Sequence, residues 1–347
     1  MQTTWYLLIG FMLVTYAVLD GFDFGAGIVH LFVAKTDAER RHVLGAIGPV
    51  WDGNEVWLIA GAGVFFFAFP RAYAASLSGL YLPMMMVIWL LLLRGIAIEF
   101  RSKVEHPLWR AAFDATFAGS SAVMAGVLGV ALGNLARGVP VDESGWVQLD
   151  LFTDFHPTAR TLGAIDVYTA LVGVFAIATL GAHGATYLVW KTSDEVHARS
   201  VRLARRAWPV VIGLGAVVTV ATWLTQPAYF ETFLLRPWIW PLPLLAIASG
   251  IMCPRYVARG EEGRAFLASC TFVAGLLFAT VGTLYPTLLR STIDPALSLD
   301  AFNASSPRAT LGIGLAVWIP AMALAVGYFT YLYWSFRGKV RIEDQHY

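Results

Sequence analysis

Cysteine is nearly missing from this chain, with two residues, Cys253 and Cys270, among 347. That is too few for a disulfide framework or a thiolate metal centre, and both read as small apolar side chains. Charge is scarce too. Only 14% of the residues are Asp, Glu, Lys or Arg, where soluble domains carry roughly a quarter, so a single water-soluble core is excluded. Neither sign dominates, with 24 basic residues against 23 acidic, and nothing in that balance points to nucleic acid. The N-terminal MQTTWYLLIGFMLV has no basic segment before its apolar run and no small-residue cleavage site. It is expected to remain as a first helix and not to be removed as a secretory signal.

What the chain has in abundance is apolar length. Hydrophobic residues make up 58% of it, in runs long enough to cross a bilayer. Nine spans are predicted, near 5–30, 53–70, 76–100, 112–134, 162–190, 207–226, 237–254, 264–288 and 310–335, the first and fifth long enough to tilt or break. The expected architecture is an all-α polytopic membrane bundle forming a single integral membrane domain over 1–347. Alternate loops hold Lys35, Arg40, Arg41, Arg101, Lys103, Arg110, Lys191, Arg199, Arg202, Arg205, Arg206, Arg255, Arg259, Arg264, Arg337, Lys339 and Arg341. The opposite loops hold Arg71, Arg137, Arg160, Arg236, Arg290 and Arg308. Cytoplasmic loops are the basic ones, which places the N-terminus outside and the C-terminus in the cytoplasm, as an odd number of spans requires.

Acids inside such spans cost roughly 2.5–3.5 kcal/mol each on insertion scales and ask for a reason. VLDGFDFGAG carries Asp20 and Asp23 three residues apart, on one helical face. GPVWDGNEVWLI carries Asp52 and Glu55 where the second span begins. Four carboxylates could thus gather near the inner ends of the first two spans, with Gly21, Gly25 and Gly27 allowing close backbone approach. A file of acids open to the cytoplasm is what a proton intake path needs, because burial favours the neutral form of a carboxyl group. The competing account is local. Asp52 and Glu55 have the spacing of a capping box, and Trp51 and Trp57 can be interface anchors. That account does not reach Asp20, which lies well inside its span.

Arg94 is placed to neutralise a buried acid, and Glu99 with Arg101 flanks the inner end of the third span. His183, in LGAHGATYLVW, is expected either to pair with a carboxylate or to bond a neighbouring helix. Only His30 and His183 lie in or near spans, which gives no axial ligand set for haem and no metal site.

With those residues in view, VLDGFDFGAG, GPVWDGNEVWLIAGAGVFFFAFPRAYA, RGIAIEFRSK, GAHGATYLVWKT and STIDPALSLDAFNASSP, in this order, resemble subunit II of the cytochrome bd-type quinol oxidases. The resemblance implies a bacterial cytoplasmic (inner) membrane protein, a non-haem subunit of a quinol:oxygen oxidoreductase. Its partner would be a larger subunit I carrying two haems b and haem d, with room for a small single-helix subunit. Quinol and O₂ would be the substrates of the complex, and protons would come from the cytoplasm. The family's proton path maps onto Asp20, Asp23 and Asp52, with Trp51, Asn54 and Glu55 as shaping neighbours. Some members hold a quinone in this subunit, for which Trp57 and Arg101 are the lining candidates. A proton-coupled secondary transporter and a purely structural membrane partner stand as alternatives.

Overall fold

The structure, a computed structural model, describes residues 1–153, 155 and 162–340. Arg160, Arg341, His156 and His346 lie outside those residues. Twelve α-helices occur among the described residues, in the order α1 (Gln2–Val33), α2 (Asp37–Ile47), α3 (Trp51–Ala68), α4 (Pro70–Gly79), α5 (Tyr81–Phe100) and α6 (Pro107–Arg137), then α7 (Val167–Lys191), α8 (Asp194–Thr225), α9 (Pro227–Leu234), α10 (Pro241–Ala258), α11 (Glu262–Leu284) and α12 (Arg308–Ser335). Eight are long and apolar enough to cross a membrane, and the number is nine if the bent pair α3–α4 is counted as one span. The long loops carry two small sheets. β1 (Asp150–Phe152) pairs in parallel with β2 (Gly163–Ile165), and β3 (Thr287–Leu289) pairs antiparallel with β4 (Leu299–Asp300).

Helix α1 is unbroken for 32 residues, so the expectation that it could break does not hold. The break falls between α3 and α4, which meet at 119°. Pro70 explains it. Proline has no N–H to continue the helix and pushes its predecessor out of the helical region, and Phe69 sits at φ −134°, ψ 62°.

Burial ranks the helices. The apolar stretch of α1 is 56% buried and that of α12 only 6%, so α1 is the axis of the bundle and α12 lies on its outside. Helix α1 packs tightly on α7 because glycines face each other. A methyl group on Gly25 would collide with the Leu180 carbonyl and the Gly184 backbone. Small residues of this kind let membrane helices approach where lipid offers no hydrophobic drive.

The two ends of the chain lie at opposite ends of the bundle. Trp5 is buried and donates from Nε1 to Leu311 O at the start of α12 (3.1 Å). The segment after α12 instead reaches α7 and α2, where Val340 N donates to Lys191 O (2.9 Å) and His42 Nε2 meets Val340 O (3.0 Å). Both cysteines are free, Cys253 on α10 and Cys270 on α11.

Candidate functional site

The acids of α1 and α3 converge, and α5 supplies their counter-ion. Asp20 and Asp23 are completely buried. Arg94, 1% exposed, brings Nη2 to 2.6 Å from Asp20 Oδ1 and 3.8 Å from Glu55 Oε2. The contact with Asp20 is an ion pair by distance whose approach is off the hydrogen-bond direction. The Arg94 guanidinium also covers Phe24 at 4.2 Å and lies 6.0 Å from Trp51. Asp23 Oδ2 accepts from Asn54 Nδ2 at 2.7 Å, and Asn54 Oδ1 accepts from the Tyr333 hydroxyl at 2.8 Å.

Three carboxylates therefore share one arginine inside the bundle. Burying unpaired negative charge is very costly, so the group is electrostatically satisfied only by holding protons as well as Arg94. Both Asp20 oxygens, Asp23 Oδ1 and the Tyr16 hydroxyl are buried with no hydrogen-bond partner. Such atoms are acceptors and donors ready for water or a mobile proton. Exposure is graded along α3. Asp52 is exposed, Glu55 one turn further in retains 15%, and Asp20 beyond it has none.

The capping account is corrected by the geometry. Helix α3 starts at Trp51 with Val50 as N-cap, and no side chain caps it. Capping boxes form elsewhere, at Thr36 with Glu39 and at Asp166 with Thr169. Trp51 and Trp57 are buried, at 9% and 6% exposure, and are not interface anchors. Trp57 packs on Phe11 and Phe329.

His183 does not meet a carboxylate. Its Nδ1 lies 2.7 Å from Ser269 Oγ and its Nε2 3.0 Å from Val18 O, with the ring stacked on Phe266. Both ring nitrogens are thereby committed to neighbouring helices. Arg101 is drawn elsewhere too. It is 1% exposed and forks onto Asp114 of α6, Nε to Oδ1 at 2.6 Å and Nη2 to Oδ2 at 3.1 Å. Arg101 lines a cavity with Asp37, Arg40, Glu105, Pro107 and Arg110, and Trp57 is not among the residues that line it.

Asp114 escaped the sequence reading, and so did the pairing of its partners with it. It receives Arg101, Arg40 Nη1 at 2.7 Å and His30 Nε2 at 2.7 Å. Its signal was a lone acid just inside the predicted span 112–134. Tyr16, one turn before Asp20 on the same face of α1, was equally legible. Tyr333 was not, since only the packing of α12 brings it to Asn54.

The fold and this interior polar cluster define a multi-span membrane protein whose ionisable groups face the bundle interior, as functional ones do. Comparison with known proteins narrows the class. The family model described as cytochrome bd terminal oxidase subunit II matches residues 1–336, and the chain belongs to that family. It is similar to the cytochrome bd ubiquinol oxidase subunit 2 of Bacillus subtilis strain 168, 31% identical over 341 residues, covering 97% of this chain and 96% of the relative. It is also similar to the cytochrome bd-I ubiquinol oxidase subunit 2 of Escherichia coli K12, 29% identical over 98% of this chain and 95% of the relative. Among solved structures, a chain of the bd oxidase from Geobacillus thermodenitrificans shares the fold, with TM-score 0.76 at 17% identity, covering 97% of this chain and 98% of that one.

Proposed function

We propose that this chain conducts protons from the cytoplasmic side of a bacterial inner membrane to the oxygen-reducing centre of a haem-bearing subunit I, which it also holds in place. The haems of the complex, bound by that partner, supply the electron transfer and O₂ chemistry. The tasks left to this chain are to admit protons, hold them in a dry interior and exclude bulk water. Family membership makes it a part of a quinol oxidase and sets the lone transporter aside. The basic loops that include Arg40, Arg41, Arg101 and Arg110 support the cytoplasmic orientation of the Asp52 end.

The observation that carries the proposal is the excess of buried acid around Arg94. Asp52 and Glu55 offer the graded mouth. Asp20 and Asp23 hold the proton further in, and Arg94 keeps one of them ionised so that it can accept. Asn54, fixed by Tyr333, orients Asp23. On the outer side of the same helices, Val56, Ile59, Ile88 and Trp89 are exposed, and this apolar face is where subunit I would dock to receive the protons.

The test is substitution in the assembled oxidase. Asp20→Asn and Glu55→Gln keep shape and remove the titrating oxygen, so O₂ consumption is expected to fall at least about tenfold, since positioned acid–base groups contribute about 10²–10⁴. The haem spectrum is expected to stay unchanged. Full turnover in both variants would leave the acids as helix ties and the chain as a structural partner.

A further inference from the structure

The corner where α2 meets the turn between α5 and α6 encloses a second charged site, which the proton route does not use. A cavity of about 270 Å³ there is lined by Asp37, Arg40, Arg101, Glu105, Pro107 and Arg110. It has space for several waters, room for a phosphate with its ester groups. Three guanidiniums border it, and their internal partners do not exhaust them. Asp114 takes two N–H groups of Arg101 and one of Arg40, while Asp37 takes one each from Arg101 and Arg110. Arg101 is 1% exposed and is held by Asp114 and Asp37, so it stiffens the wall of the cavity from behind. Arg40 and Arg110, each with 27% of the side chain exposed, are the arginines that a bound anion can reach.

The surroundings say what kind of anion fits. Phe100, Val104 and Leu108 flank the cavity in sequence, exposed to 50%, 41% and 73%. Exposed apolar side chains beside an arginine cluster at the end of a transmembrane helix match acyl chains below and a headgroup above. Basic pockets between transmembrane helices on the cytoplasmic side bind lipid headgroups, and guanidinium forks suit phosphate oxygens. Glu105, at the rim, makes none of these ion pairs and can face an ammonium group.

We propose that this cavity seats the headgroup of a membrane phospholipid, its phosphate on Arg40 and Arg110 and an ethanolamine ammonium toward Glu105. The site rests on the membrane placement of the chain and not on the proton route.

The experiment uses the intact oxidase complex in detergent, stripped of loose lipid, with retained lipid counted by native mass spectrometry. Wild type is expected to keep one phosphatidylethanolamine at this site, and the double variant Arg40→Gln/Arg110→Gln to bind it at least tenfold more weakly. Arg110→Gln alone, which removes one partly exposed side chain and leaves the contacts of Asp114 intact, carries the same test if the double variant does not assemble, with a loss of about threefold corresponding to one weakened charged contact. Glu105→Gln is expected to abolish the preference for phosphatidylethanolamine over phosphatidylglycerol. Equal retention by wild type and the arginine variants overturns the proposal. So does a diacylglycerol of the same chains that binds as well, which would reveal acyl contacts alone. Displacement of the lipid by millimolar inorganic phosphate would reassign the cavity to a free anion.

Discussion

Two of the buried charged groups among the described residues are built on opposite principles. Around Arg94 one cation contacts Asp20 and Glu55, with Asp23 nearby on Asn54, and several oxygens have no donor. Around Asp114 one carboxylate is surrounded by His30, Arg40 and Arg101, and both of its oxygens are taken. The first has acid in excess and can gain or lose a proton without losing its cation. In the second, every lone pair of the acid that points inward is engaged, so a change of charge breaks the network. The contrast separates the group proposed to conduct from the one that fastens helices more sharply than burial does, since both Asp20 and Asp114 are almost wholly buried.

The largest expected effect tests the fastening group. Asp114→Ala leaves Arg40 without an anion and Arg101 with Asp37 alone, and removing one partner of a buried pair costs about 3–5 kcal/mol. The assembled complex is expected to drop sharply in amount and to inactivate at lower temperature. A complex as heat-resistant as wild type would erase the distinction. Gly25→Ala comes next. Overpacking costs about 1–3 kcal/mol, and the α1–α7 contact has no slack, whereas Gly213→Ala, with nothing within 4 Å, is expected to be neutral in the same thermal assay. Tyr333→Phe then removes one hydrogen bond to Asn54, worth about 0.5–1.5 kcal/mol. It sharpens the comparison if turnover falls further than heat resistance does, because Asn54 then positions Asp23.

The smallest effect lies on the surface. Glu39 is held down to about 2 by Arg199, whose Nη1 and Nη2 reach its carboxylate at 2.9 and 3.0 Å, against the cost of partial burial and with help from the Lys35 and Thr36 amides. A depressed carboxyl contributes stability that is present above its unfolded value, about 4.3, and is lost as pH falls from there toward 2. Glu39→Gln is expected to flatten the acid limb of stability between those values and to leave neutral pH almost unchanged. An unchanged acid limb would show that the pair contributes nothing.

The span pattern was legible because apolar length is a local property. Nine runs separated by polar loops emerge from composition alone, and their order matches the helices. The second predicted span ends at residue 70, where the chain bends, but the short helix α4 that continues from Pro70 was not foreseen. Asp20, Asp23, Asn54 and Glu55 could be nominated from spacing on two helices. Their counter-ion followed from depth, one turn inside the third span. Asp114, His30 and Tyr333 escaped because their meaning comes from partners on other helices, 84 residues away for His30 and Asp114 and 279 for Tyr333 and Asn54. Arg101 misled for the same reason, since a basic residue at a helix end is ordinarily a snorkelling side chain and here is locked onto α6.

Proton uptake measured directly decides the matter. The oxidase reconstituted into vesicles, reduced with quinol and given O₂ in a single turnover, is expected to take up protons from the side bearing Asp52. With Asp20→Asn, that uptake and the oxygen chemistry that depends on it are expected to slow together by at least about tenfold. Uptake at the wild-type rate in a complex of unchanged haem content would contradict the account.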